Sequence, residues 1–126
     1  RAWARAHPDR KRAASRRWDA SNPEKVAESA ARSVQAARLR RYSLTQDQYD
    51  ELLDGQGHRC GICQTNVPGG TGTWHIDHDH SCCPGQRSCG ACVRGVLCFN
   101  CNHMLGHARD DVRTLLRAIA YLKRGE

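Results

Sequence analysis

The sequence predicts a small α+β fold stapled by bound metal rather than held by a large apolar core, and three observations predict it. First, the 126 residues include one Phe, three Tyr and three Trp, and 26% are charged, so any core is small. Small cores usually need disulfides or a metal ion. Second, two Cys-x-x-Cys pairs, Cys60/Cys63 and Cys98/Cys101, are spaced as ligands of one site. Third, the stretch between and after them reads as strand, loop, strand, helix, a ββα unit.

The chain begins with a basic extension. Residues 1–41 carry 12 Lys and Arg against 4 Asp and Glu, a net +8, whereas residues 42–126 carry 8 against 9. The expected organisation is a basic helical arm over residues 1–42 and a metal-bound domain over residues 43–126. Within the arm a weak repeat of period 15 pairs Trp3 with Trp18, Pro8 with Pro23 and Arg17 with Arg32. Asn22-Pro23-Glu24 offers an N-cap, a proline at the first helical position and an early acid. His7-Pro8-Asp9 is a poorer copy. These signals predict helices at about 9–20 and 23–40. Their Ala-rich faces bury little, so the arm reads either as a solvated helix pair or as a phosphate-binding surface. The charge favours the second, through Arg10, Lys11, Arg12, Arg16, Arg17, Arg38, Arg40 and Arg41.

A helix follows, capped by Thr45, with Leu44 placed to staple onto Tyr49. Tyr49, Leu52 and Leu53 form one apolar face, and Gly55 and Gly57 end the helix. Cys60-Gly61-Ile62-Cys63 reads as a metal knuckle in which Gly61 permits the tight turn. Asn66 to Gly72 is a loop. Thr73 to Asp77 alternates as a strand, residues 79–92 form a long irregular loop, and Val93 to Leu97 is a second strand. A helix runs from Cys98 to about His107, ending near Gly106. The last helix, Asp110 to Lys123, places Val112, Leu115, Leu116, Ile119 and Leu122 on one face.

The chemistry concentrates between Cys60 and Asn102. Four thiolates suit structural Zn2+. No segment reads as a signal peptide and no apolar run approaches a membrane span, so the expected setting is a reducing cytoplasm, in a bacterial or phage-infected cell. Asp77 and His78 stand at the end of the first strand and Asn102 in the first turns of the following helix. One carboxylate and one amide oxygen form a sparse, hard ligand set suited to Mg2+ or Mn2+, and a neighbouring neutral His can take a proton from water.

Tyr49 to Asn102 resembles the phage recombination endonuclease VII family, within the His-Me finger (HNH) nucleases. The residues that carry the resemblance are Cys60-Gly61-Ile62-Cys63, Asp77-His78-Asp79-His80, Val93-Arg94-Gly95-Val96-Leu97-Cys98 and Cys101-Asn102. The resemblance implies a ββα-metal core with structural zinc on Cys60, Cys63, Cys98 and Cys101. It further implies a catalytic divalent ion on Asp77 and Asn102, His78 as general base and His80 as an auxiliary group. The implied reaction is hydrolysis of a DNA phosphodiester in duplex, nicked or branched DNA. A homodimer and a phage packaging or recombination partner are further candidate partners.

One feature departs from that family: Cys82, Cys83, Cys89 and Cys92 all lie in the loop between the strands. They read as a second zinc site, with His80 a substitute for one of the adjacent pair; free thiols or a local disulfide are the alternatives. Arg94 either grips phosphate or braces the loop, and Asp79 supports His78. His75 reads as a partly exposed strand residue, and His58, His103 and His107 as surface residues. The rival to a nuclease is a non-catalytic zinc-ribbon DNA-binding module. It needs the same four cysteines but has no use for Asp77, His78 and Asn102 together.

Overall fold

A computed structural model describes residues 5–125. Seven elements follow in order: α1 (Pro8–Ser21), α2 (Pro23–Arg41), α3 (Gln46–Gly55), β1 (His75–His78), β2 (Val93–Leu97), α4 (Phe99–His107) and α5 (Val112–Leu122), with a closing 3-10 turn at Lys123–Gly125. The chain divides into two compact units, residues 1–38 and 39–126.

The first unit holds α1 and most of α2. His7 makes no side-chain cap to α1, as its poor capping chemistry leads one to expect. Asn22 does more than start α2, because its side-chain amide donates to the Trp18 carbonyl and closes α1. No α1 side chain is buried. Trp3, half of the period-15 repeat, lies outside the described residues.

The second unit is built on the antiparallel pair β1–β2. Ile76 pairs with Val96 and Asp77 with Gly95, but His78 pairs with Val93, so one residue of β2 bulges out between them. The strand expected from Thr73 begins only at His75. Simple alternation would send Asp77 and His78 to opposite faces. The bulge re-aims the chain, and Ile76, Asp77 and His78 are buried in succession.

α3 forms as its sequence dictates. The Thr45 hydroxyl accepts from the Gln48 N–H while the Gln48 side chain accepts from the Thr45 N–H, a complete capping box. Buried Tyr49 joins Leu39, Ile76 and Val96 in one core cluster, with Leu44, Leu53, Trp74 and Val93 packed around it. Cys60, Leu97, Cys98 and Cys101 form a second cluster, bordered by Trp74 and Leu105. Cysteines thus supply three of the four buried residues in this second cluster.

α5 departs from expectation in packing rather than in extent. Asp111 caps it through the Arg113 N–H, and its apolar spacing is intact. Yet no α5 residue is buried, and Val112, Leu116, Ile119 and Leu122 are all exposed. Periodicity makes an amphipathic helix; only a partner surface buries its stripe.

Candidate active site and metal centres

The first cysteine group is preformed. Cys60 is fully buried, and the knuckle after it turns because the Gln64 N–H donates to the Cys60 carbonyl with Gln64 at φ 63°. Gly61, expected to supply the turn conformation, instead supplies closeness. Its N–H donates to the Val96 carbonyl at 3.0 Å, and an added Cβ would stand 3.4 Å from that oxygen. Cys98 caps α4, its sulfur accepting from the Cys101 N–H. The sulfurs of Cys60, Cys63, Cys98 and Cys101 lie within 4.8 Å of one another, and Cys63 and Cys98 are 3.7 Å apart. Four ligands on Zn–S bonds of about 2.3 Å stand about 3.8 Å apart, so the group fits a tetrahedral zinc. Burial raises the Cys60 thiol, but the backbone N–H groups of Cys98, Ile62 and Cys63 outweigh it and bring the thiol down to about 6. Burial, with the neighbouring thiols, pushes Cys101 up to about 12.

A cleft of about 340 Å³ gathers the residues singled out in sequence: Asp77, His78, His80 and Asn102 all line it. Arg41, Tyr42 and His75 line it as well. His78 is 4% exposed, and its Nε2 lies 3.0 Å from the Cys83 carbonyl and 3.2 Å from the Gly85 carbonyl. Two acceptors at Nε2 require a proton there, which leaves the Nδ1 lone pair open in the neutral ring. Tyr42 meets the ring edge-on at 5.9 Å, and the His80 ring lies 4.5 Å away.

Asp77 is held by Arg94, whose Nε and NH2 donate to its two oxygens at 2.7 and 3.0 Å. The guanidinium thus braces the cleft wall. Asp77, first among the causes, raises the Arg94 pKa still further. Arg94 also reaches Asp110, at 3.4 Å. The Asp110 carboxylate in turn lies 2.7 Å from His80 Nδ1. Arg109 and Asp110 both adopt positive φ, near 55° and 53°, and that turn points Asp110 into the cleft. Sequence reading gave Asp110 only a helix-start role, because no periodic signal marks a left-handed turn.

The second cysteine group also assembles. The sulfurs of Cys82, Cys83, Cys89 and Cys92 lie within 4.8 Å of one another, with Cys82 3.9 Å from Cys89 and 4.0 Å from Cys83. All eight cysteines are free, so the local disulfide is not formed, and His80 stands in the cleft rather than in this group. Ser88, which carried no sequence signal, is buried beside it. Its hydroxyl contacts Cys92 Sγ at 3.2 Å and accepts from the Gly90 N–H. That hydroxyl is the main reason Cys92 is lowered to about 6, while hydrogen bonding with Cys89 leads the causes that push Cys82 up to about 12. Gly90 sits at φ 86°, where a Cβ would meet the Ser43 carbonyl at 2.9 Å. Asp79 organises the turn into this group: its side chain accepts from the N–H and hydroxyl of Ser81, and its carbonyl from Cys82 and Cys83.

The remaining candidates have structural partners. His58 pairs with Asp54 on the surface of α3. His103 contacts the Phe99 carbonyl one turn back, and the His75 and His107 rings lie about it. Arg10, Lys11, Arg12, Arg16, Arg17, Arg40 and Arg41 are exposed, whereas Arg38 is half-buried and donates to Gln35.

The recombination endonuclease VII family model matches residues 35–124, a span that holds the cleft and both cysteine groups. The chain belongs to the recombination endonuclease VII family. Among similar proteins, the Gene 59 protein of Mycobacterium phage D29 is 39% identical over 87 residues, covering 68% of this chain and 47% of its own. The Gene 59 protein of Mycobacterium phage L5 is 40% identical over 85 residues, covering 67% and 46%. The chain therefore spans about half the length of the curated relatives it matches. No solved structure matches it significantly. Among the described residues no helix is long and apolar enough to cross a membrane.

Proposed function

We propose that this endonuclease VII family member is a metal-dependent DNA endonuclease with a His-Me finger (HNH) centre, and that His78 is its general base. The observation that carries the reading is the fixed imidazole. With Nε2 donating to the Cys83 and Gly85 carbonyls, Nδ1 is the only ring nitrogen able to accept a proton from water in the cleft.

Asp77 and Asn102 line the same cleft and supply the oxygen donors for a divalent ion, Mg2+ or Mn2+. When bound there, such an ion supplies positive charge to the phosphate and the leaving oxygen. Arg94 fixes the Asp77 carboxylate, leaving each oxygen with lone pairs to spare. His80, with Nδ1 on Asp110, keeps Nε2 for the scissile phosphate or the leaving group. Cys60, Cys63, Cys98 and Cys101 would hold structural zinc. Residues 1–42 act as the DNA-binding arm and residues 43–126 as the nuclease domain, with phosphate contacts from the arm carrying affinity without sequence preference.

The test is nicking of supercoiled plasmid, beside a four-way junction, with Mg2+ or EDTA. Wild type should cut only with the divalent ion. His78→Ala should lose about 10²–10⁴-fold in rate while keeping its structural zinc. Asn102→Ala should lose activity that higher Mg2+ partly restores. Tight DNA binding with no cleavage would instead establish a zinc-ribbon binding module.

A further inference from the structure

We infer that Cys82, Cys83, Cys89 and Cys92 bind a second zinc ion, and that this ion is the positioning element for His78. The inference rests on the reading of His78 as general base.

The site itself stands on geometry. Sulfur separations of 3.9 and 4.0 Å approach the roughly 3.8 Å edge of a zinc tetrathiolate, and the whole group lies within 4.8 Å. It also has outer contacts of the kind that tune a metal site. Ser88 Oγ meets Cys92 Sγ at 3.2 Å, and the Gly90 N–H orients that hydroxyl. Ser88 is pinned in turn, its N–H donating to the Arg41 carbonyl and its own carbonyl accepting from the Ser43 hydroxyl.

The link to chemistry is short. The two carbonyls that hold His78 Nε2 belong to Cys83, one of the four ligands, and to Gly85, two residues on. Between residues 79 and 92 Ser88 is the one buried side chain, and no helix or strand is formed. Packing therefore does little to fix those carbonyls. Four bonds to one ion would fix the Cys83 backbone, and through it the tautomer and aim of the imidazole. The sequence places this cysteine loop between Asp77-His78 and β2, so the metal braces the base from the next residues along the chain.

The experiment compares wild type with Cys89→Ser/Cys92→Ser, neither of which supplies a carbonyl to His78 Nε2. Three readouts are taken: zinc per chain by elemental analysis, the His78 tautomer by 15N NMR, and single-turnover cleavage beside DNA affinity. Expected are two zinc ions per chain in wild type and one in the variant. The variant should keep its helix content and DNA affinity, lose the fixed Nε2–H tautomer, and cut about 10–100-fold more slowly. One zinc in wild type, or an unchanged tautomer and rate in a one-zinc variant, would overturn the inference. If the variant fails to fold, Co2+ replacement in wild type decides the site. Charge-transfer absorbance of two tetrathiolate centres supports it, and that of one refutes it. If wild type cuts no DNA, the nuclease reading falls, while the zinc count and tautomer still judge this one.

Discussion

Arg94 clamps Asp77 through both carboxylate oxygens across the two-stranded sheet. A buried carboxylate in a site proposed for a divalent ion is thus already neutralised by a protein cation. Arg94→Ala should have two effects. The fold should lose about 1–2 kcal/mol, a figure discounted because the guanidinium is 42% exposed, visible as a lower melting temperature. The half-saturating Mg2+ concentration for cleavage should fall, since a competing cation has gone; a rise would show that Arg94 assists the ion instead.

Gln56 and Val96 form a second such pairing. The Gln56 amide accepts from the Val96 N–H at 2.8 Å and donates to the Val96 carbonyl at 2.9 Å, doing for the open edge of β2 what a third strand would do. Gln56→Ala should cost about 1–3 kcal/mol by leaving the Val96 N–H without a protein partner, while the Val96 carbonyl keeps the Gly61 N–H. Denaturant titration measures it, and a change below about 0.5 kcal/mol would mean that water substitutes freely.

Zinc retention should depend on Ser88 and on pH with a definite sign. Its hydroxyl leads the causes that lower the Cys92 thiol from 9.0 to about 6. A depressed thiol stabilises the folded state fully above its unfolded value and surrenders that contribution as pH falls through the folded one. The window is therefore about pH 9 down to about 6. Ser88→Ala raises the thiol, so protons compete better with the metal and zinc from this group is released at a higher pH. A chromogenic chelator followed across pH reads the shift, which should leave the other cysteine group unmoved.

The arm should act through charge alone. Replacing Arg10, Lys11, Arg12, Arg16 and Arg17 by Gln should weaken DNA binding and flatten its dependence on log salt by at most about 4–5 units, because each phosphate contact contributes about 0.9. Equal loss on unrelated sequences is expected. Loss confined to one sequence would reveal base reading in this unit.

Much of the fold was legible because its signals are local. Caps, prolines and apolar spacing mark α1 to α5, and Thr45 with Gln48 forms the capping box its spacing invites. Cys-x-x-Cys spacing marks the first thiol group and the Cys89/Cys92 half of the second, and Asp77, His78, His80 and Asn102 do share one cleft. Ser88, Gln56 and Asp110 were not legible, since each acts on residues distant in sequence or from a turn that no periodicity records.

The sequence by itself determined the elements, the cysteine pairs and the asymmetry of charge, because each is written in neighbouring residues and spacings of two to four. The tertiary structure decided the rest. A register shift between Asp77 and His78 turned both inward, and two loop carbonyls chose which nitrogen of His78 carries the proton. A left-handed turn brought Asp110 to His80, and the apolar stripe of α5 stayed uncovered. Burial, tautomer and ion pairing depend on which groups meet in space, and residues far apart in the chain set those meetings.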